Sequence, residues 1–224
     1  MKAREEILGR VRSALAGAGQ ARSTERDGHG EALRNYVHTR DLPDRVGLFV
    51  ERVQNYRATV IRTDPNGVAA AVAKGLLGAG KVVVPLGFNP AWLPSDLDVL
   101  SDQPALSADE LDSADAVLTS VAVAIAVTGT IVLDHTQGQG RRALSLVPDL
   151  HVCVVTADQI VGDVPEAIAT LGSSVLSGRP LTWISGPSAT VDIELQRVEG
   201  VHGPRTLHIV LVESAADGVE RYRE

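Results

Sequence analysis

Residues 58–85, ATVIRTDPNGVAAAVAKGLLGAGKVVVP, decide the fold. Ala58 to Ile61 reads as a strand, Asn66 to Leu77 as a helix of small residues, and Lys81 to Pro85 as a second strand. The Gly78-Ala79-Gly80 break parts the helix from the strand that follows. A β-α-β order at this spacing predicts a right-handed crossover between parallel strands. Val82, Val83 and Val84 are consecutive apolar residues, the pattern of a strand covered on both faces.

Downstream, Pro85, Gly87, Pro90 and Pro94 make a turn-rich loop with Trp92 as its apolar anchor. A short strand near Val99 and a small helix at Ala108 to Leu111 follow. Ala116 to Thr119, Thr130 to Leu133, Val152 to Thr156 and Thr206 to Val212 read as strands, Val164 to Leu171 as a helix, and Leu181 to Ile184 as extended. The charged end from Gly218 onward reads as frayed. Upstream, Ile7, Leu8, Val11 and Leu15 sit at helical spacing within Arg4 to Leu15. Gly19 to Gly30 reads as a flexible connector, and Glu31 to His38 as a second helix. Pro43 opens a third helix, with Val46, Phe49, Val50 and Val53 on one face. The expected fold class is α/β: a mostly parallel central sheet flanked by helices over residues 57–224, behind an N-terminal helical extension over 1–56. No internal repeat is visible.

The chain has 224 residues, of which 44% are hydrophobic, enough for a sizeable core. Aromatics make up only 3%, which argues against a large aromatic recognition surface. The 21 basic and 28 acidic residues give a net charge of -7, which disfavours general attraction to nucleic acid or anionic lipid. The single cysteine, Cys153, allows no internal disulfide and no Cys-rich iron–sulfur site, and its HVCVV setting is that of a core thiol. The acidic residues of MKAREEILGRVRSAL rule out a secretory signal. No stretch suits a membrane span either, so a cytoplasmic location is expected.

Two candidate sites emerge. In the first, Thr128-Gly129-Thr130 could offer hydroxyls to a ligand oxygen or simply connect two core strands tightly. Asp134 could orient His135 as a proton carrier, or both could serve as cap and turn residues. Gly138-Gln139-Gly140 ahead of Arg141-Arg142 pairs backbone N–H groups with guanidinium forks, which suits a carboxylate or phosphate. An ordinary surface Arg pair is the plainer alternative. There is no Gly-Lys-Ser/Thr ending and no GxGxxG order, so neither a Walker loop nor a dinucleotide fingerprint is present.

In the second, Ser185-Gly186-Pro187-Ser188 forms a hydroxyl-bearing turn after a strand. Asp192 and Glu194 follow at strand-like spacing, either facing a ligand together or lying at a polar edge. His202, between glycines in Gly200-Val201-His202-Gly203-Pro204, is held where an imidazole can meet a carboxylate. The histidines have no metal-ligand spacing, so no metal is expected, and His29, His38, His151 and His208 carry no site signal.

Four stretches taken together resemble the LUD-domain family (DUF162), in its lactate-utilization branch: TGTIVLDHTQGQGRRALSLVPDLHVCVV (128–155), DQIV (158–161), WISGPSATVDIE (183–194) and VEGVHGPRTLHIVLVE (198–213). The resemblance implies a fold similar to the NagB, ribose-phosphate isomerase and CoA-transferase group. It implies a pocket lined by Thr128 to Thr130, Gly138 to Arg142, Ser185 to Ser188 and His202 to Pro204, with no catalytic role attached to any of them. The family commonly has Glu immediately before TGT; this chain has Val127, which removes that carboxylate as a base or acceptor. The implied role is a subunit without a cluster. It would support oxidation of L-lactate to pyruvate beside LutA-like and LutB-like iron–sulfur proteins, binding a small anionic metabolite and holding no cofactor of its own. The fold likeness also admits an independent enzyme acting on a phosphorylated sugar, folate-like compound or acyl-CoA, and a metabolite-binding regulatory protein. Homo-oligomerisation stays open.

Overall fold

In the computed structural model, which describes residues 4–14, 39–191 and 197–214, the chain divides into units of residues 1–37 and 38–224. In the first unit, residues 4–14 form helix α1, with Ile7 and Val11 exposed and an Arg10–Glu6 ion pair of 2.7 Å one turn apart. The expected connector, the Glu31 to His38 helix and the charged end from Gly218 lie outside the described residues.

The second unit begins with helix α2 (Arg45–Asn55). Asp44, rather than Pro43, starts it: the carboxylate accepts the Gly47 N–H at 2.8 Å and satisfies an otherwise orphan donor. Phe49 and Val53 on its inner face are buried. Strand β1 (Thr59–Thr63) then leads into a turn in which Asp64 accepts the Asn66 and Gly67 N–H groups. That turn aims helix α3 (Val68–Leu76), which ends where Leu77 adopts φ 53° and Gly78 φ 80°. Strand β2 (Lys81–Val84) completes the crossover.

The remaining strands are β3 (Asp98–Ser101), β4 (Ala116–Ser120), β5 (Val123–Ile125), β6 (Thr130–Leu133), β7 (Leu150–Thr156), β8 (Ile160–Val161), β9 (Thr182–Ile184), β10 (Ala189–Val191), β11 (Arg197–Glu199) and β12 (Thr206–Val212). Short helices α4 (Ala108–Asp112), α5 (Val164–Thr170) and α6 (Gly172–Leu176) join them. The main sheet runs β1-β12-β7-β4-β2-β3, and all of its pairings are parallel. A smaller mixed sheet runs β8-β5-β6-β9, and β10 and β11 make an antiparallel ribbon.

Both faces of the main sheet are covered, which explains its near-continuous apolar strands. On one face α3 packs Val72 and Leu76 against Val82, Leu118, Val152 and Val210. On the other, α2 and the smaller sheet pack Phe49, Val53, Ile131 and Leu133 against Cys153, Val155, Ile209 and Leu211. Period-2 alternation therefore sends Cys153 and His151 to the second face, with Val152 and Val154 to the first. No helix among the described residues is long and apolar enough to cross a membrane.

Candidate functional site

Three loops converge at the amino ends of β7 and β12: the turn before β7, the turn after β9, and the loop before β12. They enclose a cavity of about 260 Å³, below the roughly 300 Å³ at which pockets for drug-sized ligands begin. Its walls include Arg142 and Ser145, then Trp183 and Ser185 to Ser188, then His202 and Gly203. Of the first candidate site only Arg142 reaches this cavity, where it joins Ser185 to Ser188, His202 and Gly203 of the second.

Hydroxyl chemistry ties these loops together. Ser188 is the hub: its N–H donates to Pro204 O at 2.8 Å, its carbonyl accepts the Gly200 N–H at 2.9 Å, and its Oγ accepts the His202 N–H at 3.1 Å. Thr128 Oγ1 donates to Thr130 Oγ1 at 2.7 Å, and Thr130 Oγ1 lies 2.7 Å from Ser185 Oγ. The TGT segment therefore supports the cavity wall through Ser185 without lining it. Gly129 has φ 60°, and a Cβ there would come within 2.8 Å of the Arg52 backbone in α2, so the glycine is required for close approach. Val127 is half-buried, donates its N–H to Gly162 O at 3.1 Å, and is not part of the cavity wall.

The two arginines part company. Arg141 is committed to Asp102 through Nε at 2.8 Å and an Nη at 3.0 Å, and it donates to Leu106 O. Burial pushes the Asp102 carboxyl up, but the bonds from Arg141 and the Leu106 N–H outweigh it and hold the group below the ordinary carboxylate value. Arg142 has no ion-pair partner among the described residues and borders the cavity.

Asp134 does not orient His135. Its Oδ1 accepts from Thr136 at 2.7 Å and its Oδ2 from Ser174 at 2.6 Å. Burial opposes ionisation there, but the bonds from Ser174, Thr136 and Gln139 win and lower the carboxyl. His135 sits 2.7 Å from Gly140 O through Nδ1 and 2.8 Å from Thr182 Oγ1 through Nε2. A carbonyl accepts only, so Nδ1 donates to it and the ring braces this loop against β9. Gly138 spends its N–H on Leu86 O at 2.8 Å. A Cβ on Gly140 would come within 2.5 Å of Leu144. The 134–140 loop is thus a self-satisfied turn rather than an anion cradle. Asp192 and Glu194 lie outside the described residues.

Parallel sheets usually take ligands outside the carboxyl ends of their strands. That edge here carries an open cleft of about 770 Å³, bordered by Pro85, Asp102, His135, Gly140, Arg142 and Arg179. Part of its polar wall is already paired, as Asp102, Arg141 and His135 show. The smaller cavity at the amino edge shares Arg142 with that cleft and adds serine hydroxyls and two imidazoles to its wall.

One wall residue carried no signal in the sequence. His151, 1% exposed on β7, forms part of the cavity. Its Nε2 lies 2.7 Å from Thr119 Oγ1 of β4, which in turn lies 3.3 Å from Cys153 Sγ. Burial lowers the imidazole to about 4 and raises the thiol to about 12, so both are neutral near pH 7. No three His, Cys, Asp or Glu side chains among the described residues are grouped to hold a metal.

Comparison with known proteins places this architecture. A lactate utilization protein C of Deinococcus radiodurans is 47% identical over 213 residues, covering 94% of this chain and 96% of that one. The protein of the same description in Bacillus licheniformis is 25% identical, over 82% of this chain and 88% of its own. A crystal structure of a DUF162 family protein from Deinococcus radiodurans superposes with a TM-score of 0.68 at 46% identity, covering 75% of this chain and 96% of that one. The LUD domain model matches residues 96–212, which span β3 to β12 and every loop that lines the cavity. The chain belongs to the LUD-domain family.

Proposed function

We propose that this protein serves lactate utilization as the cluster-free subunit of a system oxidising L-lactate to pyruvate, beside LutA-like and LutB-like iron–sulfur proteins. The names of its relatives support the lactate role. The observation that carries the site is Arg142: a guanidinium without an ion-pair partner among the described residues, at a cavity of about 260 Å³ whose other polar groups are serines and histidines. A planar fork of N–H donors suits a carboxylate, and the cavity's size suits a small organic acid. Removing two electrons from lactate needs a redox cofactor that side chains do not supply. The chain's own share is to hold the acid's carboxylate at Arg142 while the partners carry the electrons.

The experiment is native co-purification of the tagged full chain, followed by iron and mass analysis and an L-lactate oxidation assay on extracts with and without the chain. Co-purifying iron–sulfur proteins and loss of lactate oxidation without the chain are expected. Unchanged oxidation in extracts lacking the chain would refute the reading.

A further inference from the structure

The cavity has a second anchor besides the guanidinium, and it lies in the sheet itself. In the β4–β7 pairing Val117 stands opposite His151 and Thr119 opposite Cys153, so Thr119 lies between two side chains of the same face. Its one hydroxyl proton has to serve both. Imidazole nitrogen is a strong acceptor and thiol sulfur a weak one, so the hydroxyl donates to Nε2 across 2.7 Å. The thiol then donates to Thr119 Oγ1 at 3.3 Å, a shorter contact than its 3.8 Å to Ser120 O. With Nε2 accepting, the single ring proton resides on Nδ1. That nitrogen has no hydrogen-bond partner among the described residues. No buried side-chain nitrogen or oxygen among them is left unpaired, so Nδ1 is the atom the ring shows to the cavity.

We infer that His151 is a ligand-binding residue whose Nδ1–H donates to the second oxygen of a small 2-oxo or 2-hydroxy acid held at Arg142. Thr119 acts as the positioning residue that fixes the tautomer. The inference rests on the small-acid reading above and deepens it. A carboxylate at Arg142 and an oxygen acceptor at His151 define a two-point site, and a plain carboxylate without the adjacent oxygen meets only one of them. Because the ring is neutral, the second point adds direction without adding charge.

The test uses the full chain, uniformly labelled with nitrogen-15, and pyruvate, L-lactate and propionate as probes. Side-chain spectra should show His151 as the Nδ1–H tautomer, with its Nδ1 signal moving as pyruvate saturates the site. Pyruvate should bind roughly ten-fold more tightly than propionate, the scale of one directed hydrogen bond. His151→Leu should erase that preference, and His151→Asn, whose amide nitrogen stands near the Nδ1 position, should restore part of it. An Nε2–H tautomer overturns the inference, as does pyruvate binding that leaves the Nδ1 signal in place. If Arg142→Ala abolishes pyruvate binding while the preference over propionate survives His151→Leu, the small-acid site stands and only His151 is lost from it. If the native chain binds none of the three acids, both readings fall.

Discussion

His151 shows how burial turns an ordinary side chain into a pH-dependent element of stability. Burial holds its imidazole down to about 4, whereas the same ring in the unfolded chain takes a proton near pH 6.5. The unfolded state therefore binds more protons between those values, and native stability rises with pH across that window. The full contribution is present above about pH 6.5 and is lost as pH falls toward 4, a change of roughly 3 kcal/mol in all. Urea unfolding at pH 7.5 and pH 5 should show the native chain losing roughly 2 kcal/mol more than His151→Phe, whose ring cannot titrate. Equal losses in the two chains would show that the imidazole is not held neutral by burial. None of this was legible at position 151 in HVCVV. The site character of His151 comes from the register that sets Thr119, 32 residues away, between it and Cys153. The spacing of adjacent arginines was equally silent on which one is free. The answer lies in Asp102, from the loop after β3.

Among the elements, α2 braces the turns that carry the site. Gly129 and Gly186 both take positive φ and both meet this helix or its end, at Arg52 and Tyr56. A Cβ at Gly186 would stand 2.5 Å from Tyr56 Cβ and 2.9 Å from Tyr56 O, at φ 88°. Gly186→Ala should therefore lower stability by about 2 kcal/mol and weaken pyruvate binding, because the Ser185–Ser188 turn must move to relieve the contact. Thermal unfolding and a binding titration on the same preparation check this, and an unchanged melting temperature would contradict the close approach. The β1-α3-β2 unit was readable because its valine runs are bounded by strong punctuation at Asp64 to Gly67 and Gly78 to Gly80. Strands β5 and β8 were not, since AVAIAV has no period to distinguish a strand from a core connection and β8 is two residues long. Helix α6 was missed because Gly172, Ser173 and Ser174 are poor helix formers; packing of Leu171 and burial of Ser174, which bonds Asp134, hold the segment in place.

For the molecule as a whole, the loop glycines at the two edges of the fully parallel main sheet divide into different jobs. Those of the 138–140 loop tie it to the carboxyl edge, where Gly138 O accepts the Ser120 N–H at 2.8 Å. Gly203 borders the cavity at the amino edge, and Gly186 seats the neighbouring turn on α2. With a net charge of -7, the chain as a whole repels a small anion, so the proposed capture of an acid rests on the local field of Arg142. The adjacent arginines make the sharpest contrast available, one neutralised by Asp102 and one facing the cavity. The decisive measurement is L-lactate oxidation in cells lacking this protein and supplied with Arg141→Ala or Arg142→Ala at equal levels. Arg141→Ala should restore oxidation close to that of the native chain, and Arg142→Ala should leave it at least ten-fold lower, the scale of a lost charge-assisted contact. Full restoration by Arg142→Ala would contradict the claim that this cavity holds the acid.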